Sequence, residues 1–133
     1  MSNEKVLTIK ETFDLAVQNH QKNNIKEAQN LYNKILEIDP NHSQTLNNIA
    51  IIFTNLKDYQ KAKDCYEKVI TINPNYINAH TNLGLVYGTI GNHKKAVYHN
   101  HKIFVSRVLK VLFQNNALKL IIPLDIDLLN SLK

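Results

Sequence analysis

The chain has 133 residues, 44% of them apolar, which suits one domain or one short array and exceeds what a disordered chain carries. Its formal charge of +5 comes from 16 basic and 11 acidic residues, but Arg107 is the only arginine and the lysines alternate with acids, so no nucleic-acid partner is expected. No run of about 18 uncharged apolar residues argues for a transmembrane helix, and Cys65, the single cysteine, rules out an internal disulfide.

The opening, MSNEKVLTIKE, mixes charges of both signs and lacks an apolar h-region, so no secretory signal is expected. With the lone cysteine this fits a reducing compartment, and a cytoplasmic location is the expectation. Thr8-Ile9-Lys10-Glu11 reads as a capping box, with the Thr8 hydroxyl accepting from the backbone three residues on and Glu11 reaching back. A helix follows over about 9–22, with Phe13, Ala16 and Val17 among its apolar positions. Asn23-Asn24 is the turn. The next helix, about 25–38, carries Ala28, Leu31, Tyr32, Ile35 and Leu36 at spacings of three and four, hence on one face. Asp39-Pro40-Asn41 ends it, because proline disfavours helical geometry in the residue before it. The pattern then returns as helices at 43–56 and 59–72, closed by Asn73-Pro74-Asn75. A third round opens at Ile77 with Leu83, Gly84 and Tyr87, turns at Gly91-Asn92, and enters a helix near His93.

These rounds are 34 residues apart. Ala28, Ala62 and Ala96 keep that spacing, as do Tyr32 and Tyr66, Ile35 and Val69, and Pro40 and Pro74. A fixed period of this length marks stacked units, none able to bury its apolar face alone. The predicted organisation is an array over 1–97, with units at about 9–42, 43–76 and 77–97 onward, then a divergent helical C-terminal cap over 98–133. Function is then expected on the surface of the stack and not in a catalytic pocket.

After Tyr98 the period fails. Asn100 arrives where Tyr32 and Tyr66 stood, and Val108 where Pro40 and Pro74 stood. Nothing stops the helix, which is predicted to run from about His93 past Leu112 to about Leu118. Val97, Phe104, Val108 and Leu112 form its stripe, and Ile103, Val105, Leu109, Val111 and Phe113 widen it past one face. A helix apolar nearly all round needs cover on two sides. Ile121, Leu124, Leu128 and Leu129 supply it by folding back, or a second chain does, making a homodimer through 103–129.

The small residues at 28, 62 and 96, Asn-Leu-Gly at 82–84 with Tyr87, and the Asp/Asn-Pro-Asn turns resemble the tetratricopeptide repeat over about residues 9–97. Residues 15–42 also resemble the opening repeats of bacterial arrays fused to glycosyltransferase or methyltransferase domains, related to O-linked N-acetylglucosamine transferase arrays. The resemblance implies an all-α, right-handed superhelical stack of antiparallel helix pairs, about three units with a long C-terminal capping helix. It also implies a concave groove lined by the first helix of each pair, in which an asparagine column binds the main chain of an extended peptide. The matching column here is Asp14, Asn48 and Asn82. A carboxamide carries an acceptor and two donors and so pairs with both polar groups of a peptide unit. Neighbouring groove positions are Phe13, Val17, His20 and Gln21, then Asn47, Ile51 and Asn55, then Asn78, Thr81, Leu85 and Thr89. The family's clamp for C-terminal carboxylates is not expected, because its basic positions fall on Asn78 and Asn82.

Three readings of function follow. The first is a non-catalytic interaction module for a protein or peptide partner. The second is the N-terminal substrate-recognition part of a larger glycosyltransferase or methyltransferase. The third is a homodimerisation module using the C-terminal helix. No HExxH, GxSxG, Walker loop or paired CxxC is present, so neither enzyme activity nor a cofactor is expected. His99 and His101 point different ways on one helix and His93 lies eight residues from His101, so surface histidines and no metal site are expected. Cys65 shares a column with Leu31 and is expected to be an inert, buried or half-buried thiol. Lys102, Arg107, Lys110 and Lys119 on an apolar helix suit a membrane surface. Capping the open end of the stack is the simpler account, so membrane binding is not expected.

Overall fold

The computed structural model describes residues 7–114. They form six α-helices, α1 (Ile9–Gln21), α2 (Ile25–Ile38), α3 (Ser43–Asn55), α4 (Tyr59–Ile72), α5 (Ile77–Thr89) and α6 (His93–Gln114), with no strand among the described residues. Consecutive helices pack as antiparallel pairs, α1 with α2, α3 with α4, and α5 with α6, and the pairs stack through α2 on α3 and α4 on α5. The first helices form one layer, since α3 also touches α5 directly.

The local code explains each boundary. At the start of α1 the Thr8 hydroxyl accepts from the Glu11 N–H at 3.2 Å, and a Glu11 carboxylate oxygen accepts from the Thr8 N–H at 2.9 Å. This is the predicted capping box. Each turn inside a pair holds one residue in the left-handed region, Asn23 (φ 61), Lys57 (φ 62) and Gly91 (φ 80), and these lie 34 residues apart. Between pairs, the Asn41 and Asn75 N–H groups donate to Oδ1 of Asp39 and Asn73, both at 3.1 Å.

Two apolar clusters run through the stack. The first joins Ala16, Ala28, Leu31, Tyr32 and Ile35 to Ile49 and Ile52 of the next unit. The second joins Leu46 and Ala50 to Ala62, Tyr66 and Val69, and on to Ala79, Leu83, Val86 and Tyr87. Small residues set the approach of the paired helices. Ala16, Ala50 and Gly84 form one buried column, and Ala28 and Ala62, both fully buried, form a second. A Cβ at position 84 would lie 3.1 Å from the Asn100 side-chain oxygen and 3.4 Å from Cβ of His99, so an alanine here would require Asn100 to shift by a few tenths of an ångström. Ala96 is half-buried and not buried as its column predicts, because no further unit covers α6 among the described residues.

Helix α6 is 22 residues long against 14 for α2 and α4, in line with the missing proline at 108. The start of α5 lies beside Lys102, Ile103 and Ser106, so the last two turns of α6 run past its partner. The expected fold-back through Ile121, Leu124, Leu128 and Leu129, and the rest of the cap beyond residue 114, lie outside the described residues.

Candidate functional site

The asparagine column lies on the first helices and is tied to the tyrosine column of the second helices. Burial of Tyr32 between α2 and α3 places its hydroxyl beside α3, and Asn48 donates to it at 3.1 Å. One unit on, the Asn82 amide faces the hydroxyl of buried Tyr66. Burial raises the pKa of both tyrosines, and Asn48 counters that rise at Tyr32, as Thr54 and then Asn82 do at Tyr66. Each asparagine stands 16 residues after its tyrosine, so one register places both amides. Both are half-buried, not fully exposed as a free peptide ladder requires. One N–H of Asn48 is used within the fold, and its second N–H and its Oδ1 are left for a ligand.

The other expected groove residues divide by burial. Asp14, Asn55, Asn78 and Leu85 are exposed, Leu85 to 65%. Phe13, Val17, Ile51 and Thr81 are half-buried. The Phe13 ring tilts against Tyr32 and His42, with centroids 6.1 and 5.5 Å away, so it serves the core as well as the surface. The Thr81 hydroxyl donates to the Ile77 carbonyl at 3.0 Å and is satisfied within its own helix. Asn47 departs from expectation. It is 4% exposed and its Oδ1 has no hydrogen-bond partner, so a peptide on the surface does not reach it. Its place one residue before Asn48 turns it about 100° around the helix, into the packing between units.

The histidines also depart from expectation. His80 and His99 are buried, at 3% and 8% exposure, and their Nδ1 atoms lie 3.0 Å apart. His80 Nε2 sits 2.8 Å from the Pro74 carbonyl, which only accepts, so that nitrogen carries a proton. In the neutral pair His80 Nδ1 therefore accepts from the His99 Nδ1–H. The signal for His99 was its column, shared with Leu31 and Cys65, and for His80 the column of Leu46. Around the pair, His99 stacks on Tyr87 at 10° and 5.6 Å. The Tyr87 hydroxyl donates to Glu67, and Lys95 Nζ stands 3.3 Å from that hydroxyl. Burial, then the neighbouring His80, pushes His99 down to about 4, and burial lowers His80 as well. Among the described residues no group of three or more His, Cys, Asp or Glu is placed to hold a metal ion. Cys65 is half-buried and burial pushes its thiol up, away from the reactive thiolate.

Models of the tetratricopeptide repeat match residues 14–42, 43–76 and 65–98, which together span most of the described helices. The chain belongs to the tetratricopeptide repeat family. No curated protein sequence matches it. Its fold is similar to that in a crystal structure of MamA, with a TM-score of 0.72 and 20% identity over 78% of this chain and 61% of that one. A MamA RS-1 ArsTM double mutant gives 0.68 and 22% over 74% and 55%, and a MamA AMB-1 structure gives 0.64 and 22% over 72% and 52%. This tetratricopeptide chain thus spans about three fifths or less of the length of these MamA structures. No described helix is long and apolar enough to cross a membrane.

Proposed function

We propose that this tetratricopeptide chain is a non-catalytic scaffold that takes an extended peptide, or a partner protein presenting one, along the faces of α1, α3 and α5 that carry Asp14, Asn48 and Asn82. The repeat family supports protein–protein interaction as the role. The observation that carries the finer reading is the tether of Asn48 to Tyr32, with Asn82 at the same register beside Tyr66. A buried tyrosine orients the Asn48 amide, so little of its rotamer freedom is lost when a peptide binds.

Magnitudes limit what the two amides achieve alone. Four hydrogen bonds at about 1 kcal/mol each only match an association cost of about 4 kcal/mol or more. Contact with Leu85, Phe13, Val17 and Ile51 supplies the surplus in this reading, with Asn55, Asn78 and Thr81 at the margin. If the chain is the N-terminal part of a larger transferase, the same face recognises acceptor proteins.

The test is a library of extended peptides screened against the wild type and an Asn48→Ala/Asn82→Ala variant. Loss of the rungs is expected to weaken the bound peptides at least about tenfold. Tyr32→Phe, which leaves Asn48 untethered, is expected to weaken them less. Peptides that bind both forms equally would remove the ladder from the account.

A further inference from the structure

The outer side of α6 carries a second surface, distinct from the asparagine face. In the complete units the column of Phe104 is covered by the first helix of the following unit. Leu36 of α2 packs, half-buried, against the cluster formed by α3, α4 and α5. Ile70 of α4 lines one cleft with Leu83 and Tyr87 of α5. Thirty-four residues further on stands Phe104, and it is 65% exposed. Val97, Val108 and Val111 are exposed too, and their spacing from Phe104 puts all four on one side of the helix. Phe104 thus stands where two units of the same chain seat a helix, with no such helix among the described residues.

Charge selects the occupant. Helix α6 carries five Lys and Arg and no acid. Arg107 lines the same shallow cleft as Phe104 and Val108. Lys94, exposed, stands one turn before Val97. A second α6 laid against this stripe would bring cations against cations, which opposes pairing of two copies. A helix with acids beside its apolar face meets the opposite situation.

The geometry points to an acidic amphipathic helix of a partner protein as the ligand of this surface. It docks where the first helix of a fourth unit would lie, with its apolar face on Phe104, Val97 and Val108 and its carboxylates toward Arg107 and Lys94. This is helix-in-groove recognition, in which a few apolar anchors carry affinity and flanking charges select the partner.

The test uses the full chain and a fluorescent helical peptide with leucines on one face and glutamates on the other, followed by anisotropy. A counterpart with lysines for the glutamates is the control. The glutamate peptide is expected to bind at least about tenfold tighter than the lysine one, and the gap is expected to shrink in high salt. Phe104→Asp and, separately, Lys94→Glu/Arg107→Glu are each expected to lower its affinity about tenfold or more. All these positions are exposed, so helical content and the unfolding midpoint are expected to hold. The Asn48→Ala/Asn82→Ala variant is expected to bind the helix as the wild type does, which separates this surface from the peptide-binding face. Equal affinity for both peptides, or indifference to the charge reversal, overturns the proposal. Binding to phosphatidylglycerol vesicles without binding to the peptide overturns it in favour of a lipid surface. A dimer in light scattering that Phe104→Asp dissociates overturns it in favour of a second copy.

Discussion

Asn47 and Asn48 are neighbours in sequence with opposite roles. Asn48 reaches the Tyr32 hydroxyl at the rim of the fold, while Asn47 is turned into the packing with an unpaired Oδ1. A buried acceptor without a partner costs about 1–3 kcal/mol. Asn47→Leu, which keeps the branched shape and removes the orphaned acceptor, is expected to raise stability by about 1 kcal/mol, read as a higher urea midpoint at unchanged slope. The His80–His99 pair makes a second residue-scale prediction. Burial and mutual repulsion depress His99, with Lys102 and Lys95 adding to the effect and Glu67 opposing it, and Lys102 also faces His80, whose bond to the Pro74 carbonyl works the other way. An unfolded histidine titrates near 6.5, so between about 6.5 and 4 the unfolded chain binds the extra proton. Stability is therefore complete above pH 6.5 and falls as pH drops toward 4, by about 1–3 kcal/mol. Thermal melts across that range check the slope, and His80→Leu/His99→Leu is expected to flatten it.

At the scale of elements, the small columns decide how closely the helices of a pair approach. Ala62 has no exposed surface and faces the close contact of α3 and α4. Ala62→Leu is expected to cost about 1–3 kcal/mol through overpacking, measured by chemical denaturation, and an unchanged midpoint would contradict the packing role. Helix α6 shows what happens when a stop signal is absent. Pro40 and Pro74 end α2 and α4 through the residues before them, whereas Val108 leaves α6 free to continue to Gln114. That α6 runs past Leu112 was legible from that one substitution in the repeat.

For the whole molecule, a stacked array behaves as a line of units, each stabilised by its neighbours. α3 and α4 have units on both sides, and their residues enter both apolar clusters. The final turns of α6 overrun the start of α5, which lies beside Ser106. Amide hydrogen exchange is therefore expected to be slowest in α3 and α4 and fastest, among the described helices, at 107–114. Uniform protection along the chain would argue for a single cooperative block.

The sequence by itself determined the period, the six helices, the turns and the family, because apolar spacing, small residues, Asn-Pro turns and caps act locally and repeat. It also identified the asparagine column as the candidate face. Only the tertiary structure decided which asparagines are available. Whether a side chain turns toward solvent or into the junction between units depends on how neighbouring pairs pack, and one residue of offset, about 100° of helix, separates Asn48 from Asn47. The same packing made two histidines a buried pair, since polar residues in apolar columns are tolerated where they find each other. It left Phe104 exposed where Leu36 and Ile70 are covered, because cover is a property of the next unit and not of the residue.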